Sequence, residues 1–183
     1  MFPQCSVFIA TSLDGYIARE DGAIDWLEKA NKLVPPGEDC GYQVFMSTVD
    51  ALVMGRNTFD LVTTFPGWPY GATPVAVLSR SLVALPSGLP PSVSLHRESP
   101  IELVDHLGKL GHKHLYIDGG LTIQSFLRAG LIGEMIITTV PVLLGSGRRL
   151  FGSLEADVEL EFMSSRAFPF GFVQSRYRLA TGT

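Results

Sequence analysis

Short apolar segments alternate with amphipathic segments along most of the chain. Apolar runs rich in Val and Ile are typical of buried parallel strands, because both faces of a parallel sheet are covered. Such runs occupy residues 6–10, 51–54, 74–78, 114–117 and 135–142. Segments with apolar residues at the i, i+3, i+4, i+7 spacing are predicted to be helices that pack on the sheet. These segments cover residues 39–49, 57–64, 101–111 and 121–129.

The C-terminal part of the chain has a different pattern. Apolar Val158, Leu160 and Phe162 alternate with glutamates, and a second alternating segment covers residues 173–179. Strict alternation is typical of antiparallel strands with one buried face. The chain shows no internal repeat and no linker, so we expect a single domain over residues 1–183. The predicted fold class is therefore α/β, a mostly parallel central sheet flanked by helices and ending in an antiparallel hairpin.

Composition narrows the classes of partner. With 46% apolar and 17% charged residues the chain can bury a core, and its net charge of −4 argues against nucleic acid as a partner. The segment 131–144 is too short to span a membrane, and the first residues lack the basic region and apolar run of a signal peptide. Cys5 and Cys40 form no CxxC motif and are expected to be reduced. We therefore expect a cytoplasmic protein with a small-molecule substrate and no membrane partner.

Two junctions combine the end of a buried strand, a glycine and the start of a helix. They lie at residues 51–58 and 115–122. A helix N-terminus presents unpaired N–H groups to a phosphate, and glycine allows close approach of the backbone. Either glycine site could merely turn the chain. The two together, with Arg56 able to reach a phosphate, favour a dinucleotide site, although neither matches the GxGxxG or P-loop pattern.

Several motifs follow one another in a characteristic order. They are SLDGYIA (12–18), IDWL (24–27), VDALVMGRNTF (49–59), PVAVLSRS (74–81), YIDGG (116–120) and PVLLGSGRRLF (141–151). This order resembles the dihydrofolate-reductase-like superfamily over residues 6–178. It resembles more closely the C-terminal reductase domain of bifunctional riboflavin-biosynthesis proteins. The zinc signature of the deaminase domain that accompanies such reductases is absent, which indicates a stand-alone reductase-like protein.

The resemblance implies a dihydrofolate-reductase-like fold and NADPH as the hydride donor. Phosphate-binding residues implied on the two sides of the cofactor are Gly55, Arg56, Asn57, Thr58, Gly119, Gly120, Leu121 and Thr122, with a cis Gly119–Gly120 peptide. Arg56 and the Ser79–Arg80 pair would bind the adenosine 2′-phosphate, and Leu78 beside them would also contact the cofactor. Ala10, Gly15 and Ile17 would border the nicotinamide. Two alternatives stay open: Arg80 as a solvated turn residue and Ala10 as a core residue.

Asp39 is the candidate proton donor. It shares the apolar stripe of its predicted helix with Tyr42 and Met46, and burial of a carboxyl group raises its pKa towards that role. It precedes Gly55 by 16 residues, a spacing similar to that of the dihydrofolate reductase carboxylate. The alternative is that Asp39 only caps the helix. Trp26 and Tyr42 could wall a substrate pocket by stacking on a flat heterocycle, or they could be core residues.

Other polar residues give weaker evidence for a functional site. The histidines at positions 96, 106, 112 and 114 show no ligand spacing with cysteine or carboxylate, so we expect no metal site. The segment 145–149 contains Arg148 and Arg149 and is predicted to be a turn near the pocket rim. The alternative is that one of these arginines meets an anionic substrate.

The predicted function is NADPH-dependent reduction of a small N-heterocyclic substrate. It resembles 5-amino-6-(5-phosphoribosylamino)uracil reductase of riboflavin biosynthesis. Dihydrofolate reduction, non-catalytic NADPH binding and a role as an interaction module are the alternatives. A homodimer is expected for this branch, with residues 135–144 or the C-terminal hairpin as the contact surface.

Overall fold

The computed structural model describes residues 2–179 and contains one large sheet with helices on both faces. In chain order the elements are β1 (Gln4–Ser12), β2 (Tyr16–Ala18), α1 (Asp25–Asn31), α2 (Tyr42–Met46), β3 (Ala51–Gly55), α3 (Arg56–Val62), β4 (Val75–Leu78), β5 (Val93–His96), α4 (Pro100–Lys109), β6 (His114–Asp118), α5 (Gly120–Arg128), β7 (Ile132–Val140), β8 (Arg148–Arg149), β9 (Leu160–Ala167) and β10 (Val173–Leu179).

The eight strands of the main sheet follow the order β5-β4-β3-β6-β1-β7-β10-β9. All neighbours from β5 to β7 are parallel, whereas β10 is antiparallel to both β7 and β9. Strands β2 and β8 pair separately, beside the main sheet. The predicted mostly parallel sheet with an antiparallel C-terminal hairpin is confirmed.

Alternate residues of the central strands point to opposite faces of the sheet, and their side chains pack into two hydrophobic cores, one on each face. Val53 of β3 points to the face that α4 and α5 cover with Leu103 and Phe126. Its neighbours Leu52 and Met54 point to the opposite face and pack with aromatic residues of α2 and α3. Because both faces are covered, the strand is almost continuously apolar, which is the pattern that predicted it.

Helix α4 begins at Pro100, one residue before the predicted segment 101–111. The Ser99 hydroxyl accepts a hydrogen bond from the Glu102 N–H, and the Glu102 carboxylate accepts one from the Ser99 N–H at 2.8 Å. This reciprocal capping box satisfies N–H groups that the helix itself leaves unpaired. Pro100 occupies the first turn, where its missing N–H costs nothing.

Other elements differ from the sequence-based prediction. Helix α2 is much shorter than the predicted segment 39–49, because Gly41 has φ +84° and Asp39 forms a turn with it. Strand β9 is exposed at every position instead of half-buried, and it lies at the edge of the main sheet, beside β10. The short elements α1, β2, β5 and β8 were not predicted.

Two further observations concern the state of the two cysteines and the length of the helices. Cys5 is buried and Cys40 is half-buried, and the two thiols are not joined in a disulfide. Burial raises the pKa of the Cys5 thiol to about 12, so this thiol stays protonated. Among residues 2–179, every helix falls short of the length and apolar character needed to cross a membrane.

Candidate active site

A cleft of about 800 Å³ opens at the carboxyl ends of the central parallel strands. Strands β3 and β6 are neighbours, and Met54 is in register with Asp118 at their ends. Gly55 and Gly119 follow directly and lead into α3 and α5. Both predicted strand–glycine–helix junctions therefore border the same cleft, as expected for an open α/β sheet.

The glycines at the floor of the cleft are required by close packing. A Cβ at Gly55 would lie 2.5 Å from Oγ1 of Thr122, and a Cβ at Gly119 would collide with Oγ1 of Thr58. Each junction thus packs a threonine against the glycine of the other. A Cβ at Gly120 would lie 2.7 Å from Cδ1 of Ile17. The glycines therefore allow the two junctions and Ile17 to pack closely together at the floor of the cleft.

The start of α5 is suited to an anionic ligand. Gly119 is its N-terminal flanking residue, with φ +88°, and no described side chain caps the first-turn N–H groups. A helix of this length concentrates a partial positive charge at these groups. The expected cis peptide between Gly119 and Gly120 is wrong for this structure, because all peptide bonds between the described residues are trans.

Most of the predicted cofactor residues line this cleft. They are Ala10, Ile17, Gly55, Arg56, Asn57, Thr58, Leu78, Gly119, Gly120, Leu121 and Thr122. The strands and helix starts that carry them converge because β1, β3, β4 and β6 all end on the same side of the sheet. The structure therefore brings the two segments that were predicted to bind phosphate together with Ala10 and Ile17, which were predicted to border the nicotinamide.

Gly15, Ser79 and Arg80 do not line the cleft. Gly15 lies in the turn between β1 and β2, where its carbonyl accepts a hydrogen bond from the Leu150 N–H. The buried hydroxyl of Ser79 accepts a bond from the Leu82 N–H and so stabilises a turn. Arg80 is exposed in this turn, the arrangement that the sequence left open as its alternative.

Arg56 reaches the same turn from the rim of the cleft. Its Nη1 donates to Oγ of Ser81 at 3.1 Å, and its Nε donates to the Asp60 carboxylate at 3.3 Å. The guanidinium is about half exposed, and exposed ion pairs of this kind contribute at most about 1 kcal/mol. An anionic ligand group at the rim can therefore compete for Arg56 at little cost.

Asp39 lies outside the cleft and caps the turn before α2. Its carboxylate accepts hydrogen bonds from the N–H groups of Gly41 and Gln43 at 2.9 and 2.8 Å. The bond from Gln43 is the main reason that the pKa of Asp39 is lowered, and a lowered pKa disfavours proton donation near neutral pH. The geometry matches the capping alternative rather than the predicted catalytic role.

The predicted substrate residues also have different surroundings from those expected. Trp26 is buried in a core with Val140, Phe168 and Phe172, which is the core-packing alternative. Tyr42 is half-buried and packs edge-on against Phe8, with ring centroids 5.5 Å apart. Neither ring forms the wall of the cleft. Burial, with a contribution from the nearby carboxylate at the end of β6, raises the pKa of Tyr42 to about 12.

That carboxylate belongs to Asp118, a residue that the sequence analysis did not single out. Asp118 is partly buried in the cleft, which Tyr70 and Tyr116 also line. Burial raises the pKa of Asp118 to about 6, while a hydrogen bond from the Gly119 N–H at 2.8 Å opposes this shift. The sequence signal that could have identified Asp118 is the motif YIDGG, because it puts an acidic residue between a buried strand and a pair of glycines.

Arg148 and Arg149 add positive charge to the lining of the cleft. The Arg149 guanidinium lies 4.6 Å from the centre of the Tyr16 ring and donates to its hydroxyl at 3.0 Å. Nε of Arg148 donates to the Glu20 carbonyl at 3.2 Å. Both residues belong to the short strand β8 at the rim. Contact of either one with an anionic substrate stays a prediction.

The sheet order, the helices on both faces and the cleft at the strand ends define a dihydrofolate-reductase-like fold. Within this class, residues 3–173 match the family described as the RibD C-terminal domain. The chain therefore belongs to the RibD C-terminal domain family, as its motifs indicated.

Relatives of similar length support this assignment. The chain is 34% identical to the uncharacterised protein YwjB of Bacillus subtilis strain 168, over 88% of this chain and 90% of YwjB. A crystal structure of a candidate riboflavin biosynthesis protein from Shewanella sp. PV-4 superposes with a TM-score of 0.90 at 43% identity. That match covers 97% of this chain and 99% of the Shewanella protein.

A longer protein shares the fold over part of its length. Acinetobacter baumannii RibD superposes with a TM-score of 0.74 at 20% identity, over 98% of this chain and 58% of the RibD chain. At this level of identity the likeness shows the fold. The present chain thus spans about three fifths of the length of that RibD chain.

Proposed function

We propose that this protein is an NADPH-dependent reductase of a small N-heterocyclic substrate. Its reaction would resemble the reduction of 5-amino-6-(5-phosphoribosylamino)uracil. The observation that carries the proposal is the glycine floor between two strand ends, with Asp118 in the same cleft. A Thermotoga maritima deaminase and 5-amino-6-(5-phosphoribosylamino)uracil reductase has the same fold, with a TM-score of 0.74 at 13% identity.

The residues of the cleft fit the phosphates of a dinucleotide. When bound, NADPH supplies a hydride to an electrophilic carbon of the substrate. The first-turn N–H groups of α5 would hold the pyrophosphate, because no described side chain caps them. Asn57 and Thr58 face this site from α3. Arg56 at the rim would bind the 2′-phosphate through charge-assisted hydrogen bonds.

Asp118 supplies the proton that the reaction needs. Reduction of a C=N bond adds a hydride to carbon and a proton to nitrogen, so the protein must deliver one proton for each turnover. With a pKa of about 6, Asp118 is protonated in about a tenth of molecules at pH 7. The carboxylate left after transfer regains its proton from water. Ala10 and Ile17 would form the apolar border of the hydride-transfer site.

The proposal is tested first by binding and then by turnover. The protein is titrated with NADPH and NADH while tryptophan fluorescence is followed. Trp68 is the expected reporter because its ring centroid lies 5.5 Å from that of Tyr70, a residue that lines the cleft. A Trp68→Phe variant provides the control, and calorimetry measures the affinities independently. We expect NADPH to bind at least ~10-fold more tightly than NADH, which is about 1.4 kcal/mol.

Turnover is then measured as NADPH oxidation with a panel of pyrimidine, pterin and dihydrofolate substrates. Oxidation with a pyrimidine supports the proposed reaction, and oxidation with dihydrofolate alone would shift the assignment to folate reduction. Tight NADPH binding without turnover on any heterocycle would favour a non-catalytic NADPH-binding protein. Failure to bind either nucleotide would overturn the proposal.

A further inference from the structure

Three side chains that carry metal-ligand atoms converge at the junction of β5 and α4. His96 ends β5, Glu98 lies in the connection, and His106 lies in α4. Nδ1 of His96 is 3.3 Å from Oε1 of Glu98, and Nδ1 of His106 is 2.9 Å from the same oxygen. One ligand atom from each residue lies within 4.8 Å of the other two. The fold thus assembles a group that the spacing along the sequence did not indicate.

Neighbouring polar groups orient the side chains of His96 and Glu98, the two less exposed members of this cluster. Nε2 of His96 lies 2.9 Å from Oγ of Ser94, so a proton on Nε2 would leave the Nδ1 lone pair facing the cluster. The Arg97 N–H donates to Oε2 of Glu98 at 2.8 Å, which leaves Oε1 directed at the imidazoles. Hydrogen bonds of this kind fix the tautomer and the direction of metal ligands.

Burial and charge around the cluster also suit a cation. The exposed fraction of the side chains rises from 10% for His96 to 32% for Glu98 and 46% for His106. One side of the cluster is therefore anchored in protein, and the other is open to water. The carboxylate of Glu102 is close enough to feel the charge of Glu98 and adds negative charge near the cluster, while Arg80 is a nearby positive charge that acts on Glu102 in the opposite direction. Arg97 turns its guanidinium to the carbonyls of Leu82 and Val83.

The donor set and its spacing select the kind of ion. Two imidazole nitrogens and one carboxylate oxygen are ligands that Zn²⁺ accepts, with water in the fourth position. Around a tetrahedral Zn²⁺ with bonds of about 2.0–2.1 Å, neighbouring ligand atoms are roughly 3.3 Å apart. The two distances to Oε1 of Glu98, 3.3 and 2.9 Å, are close to this value.

We propose that His96, Glu98 and His106 form a binding site for a divalent transition metal, best suited to Zn²⁺. The ion would connect the end of β5 to α4, outside the reductase cleft. The carbonyl of His96 accepts a hydrogen bond from the Ser79 N–H at 2.9 Å, so the site would also anchor the turn that carries Arg80.

The test uses the full chain without a polyhistidine tag, stripped of metal by a chelator and then exchanged into metal-free buffer. Zn²⁺ affinity and stoichiometry are measured by competition with a chromogenic chelator. We expect one Zn²⁺ per chain, with affinity reduced at least ~10-fold in His106→Ala and in Glu98→Gln. His112→Ala removes a histidine outside the cluster and should leave the affinity unchanged.

A second measurement does not depend on the variants. Co²⁺ added to the wild-type chain should give the strong visible absorption of a four-coordinate ion, and Zn²⁺ should displace it. His106 is nearly half exposed, so its removal should preserve the fold, and circular dichroism checks this. Equal Zn²⁺ binding by wild type and both cluster variants, or the weak absorption of hexaaqua Co²⁺, would overturn the proposal and leave only a hydrogen-bonded cluster.

Discussion

The hydroxyl of Thr58 lies directly against Gly119, where any Cβ would collide with it. The two residues belong to different strand–helix junctions, and Thr122 lies against Gly55 in the reciprocal arrangement. The two junctions therefore constrain each other, and the floor of the cleft depends on both. Gly119 is therefore required for close packing between the two junctions as well as for the turn of the chain.

Gly119→Ala should therefore cost more stability than its backbone conformation alone explains. Gly119 has φ +88° and ψ +133°, a backbone conformation that costs an L-residue about 1–3 kcal/mol, and the collision with Thr58 adds to this cost. Gly111→Ala is the matched control, because Gly111 also has a positive φ of +96° but open space around it. Urea unfolding measures both variants. Addition of Thr58→Ala should recover part of the loss at Gly119, and equal losses at the two glycines would contradict this account.

Asp118→Asn should lower turnover by about 10²-fold or more while NADPH binding is retained, because general acid catalysis contributes this much. Asp39→Asn is the control and should keep both activities, since Asp39 caps a turn outside the cleft. Steady-state kinetics with the best substrate of the panel measures both. Wild-type turnover should also fall as the pH rises above about 6, the pKa of Asp118. Loss of turnover in Asp39→Asn alone would return the proton-donor role to Asp39.

The same carboxyl group predicts how stability depends on pH. The pKa of Asp118 is raised from 3.8 to about 6 in the folded chain, so the folded state binds this proton more tightly than the unfolded state. The stabilisation is present below pH 3.8 and is lost as the pH rises through about 6. The free energy of unfolding of Asp118→Asn should therefore increase relative to that of wild type as the pH rises from 3.8 through about 6, by up to about 3 kcal/mol. Urea unfolding of both proteins without cofactor at pH 5 and pH 8 measures this, and a constant difference would contradict it.

The central elements could be predicted because their patterns are local. The run of Val and Ile in β3 and the Ser99–Glu102 capping box are encoded by residues close together in the chain. Strand β5 has four residues of which two are polar, unlike the apolar β4, and the length of α2 is set by a turn at Gly41. Such short elements depend on their surroundings, so periodicity did not define them.

The candidate site also has some features that could be predicted from the sequence and others that could not. The glycine junctions were found because each lies within one short segment of sequence. The importance of Asp118 depends on burial beside Tyr42 and Tyr70, which come from distant parts of the chain. His96 and His106 likewise come together only because α4 folds back along β5. Spacing along the chain does not carry this information.

Arg56→Ala should weaken NADPH binding at least ~10-fold and change NADH binding little, because only NADPH carries the 2′-phosphate. The guanidinium is at the rim and already reaches Ser81, beside the predicted phosphate contacts. Arg128→Ala, in the last turn of α5, removes a cation at the far end of a helix and serves as the control. Calorimetric titration of both variants with both nucleotides measures the difference. An equal loss for NADPH and NADH would contradict the 2′-phosphate role of Arg56.

The exposed strand β9 bears on the expected homodimer. It is the edge strand of the main sheet, and Leu160, Phe162 and Met163 are 42%, 60% and 38% exposed. A second copy that covers this strand would remove both apolar surface and unpaired backbone groups from water. Light scattering coupled to gel filtration should then give twice the mass of one chain, and Phe162→Glu should give a single-chain mass. Val83→Glu charges a residue that is 88% exposed, near the opposite edge of the sheet, and should leave the mass unchanged. A single-chain mass for the wild type would show that β9 stays uncovered in solution, and one chain would then hold the complete cleft.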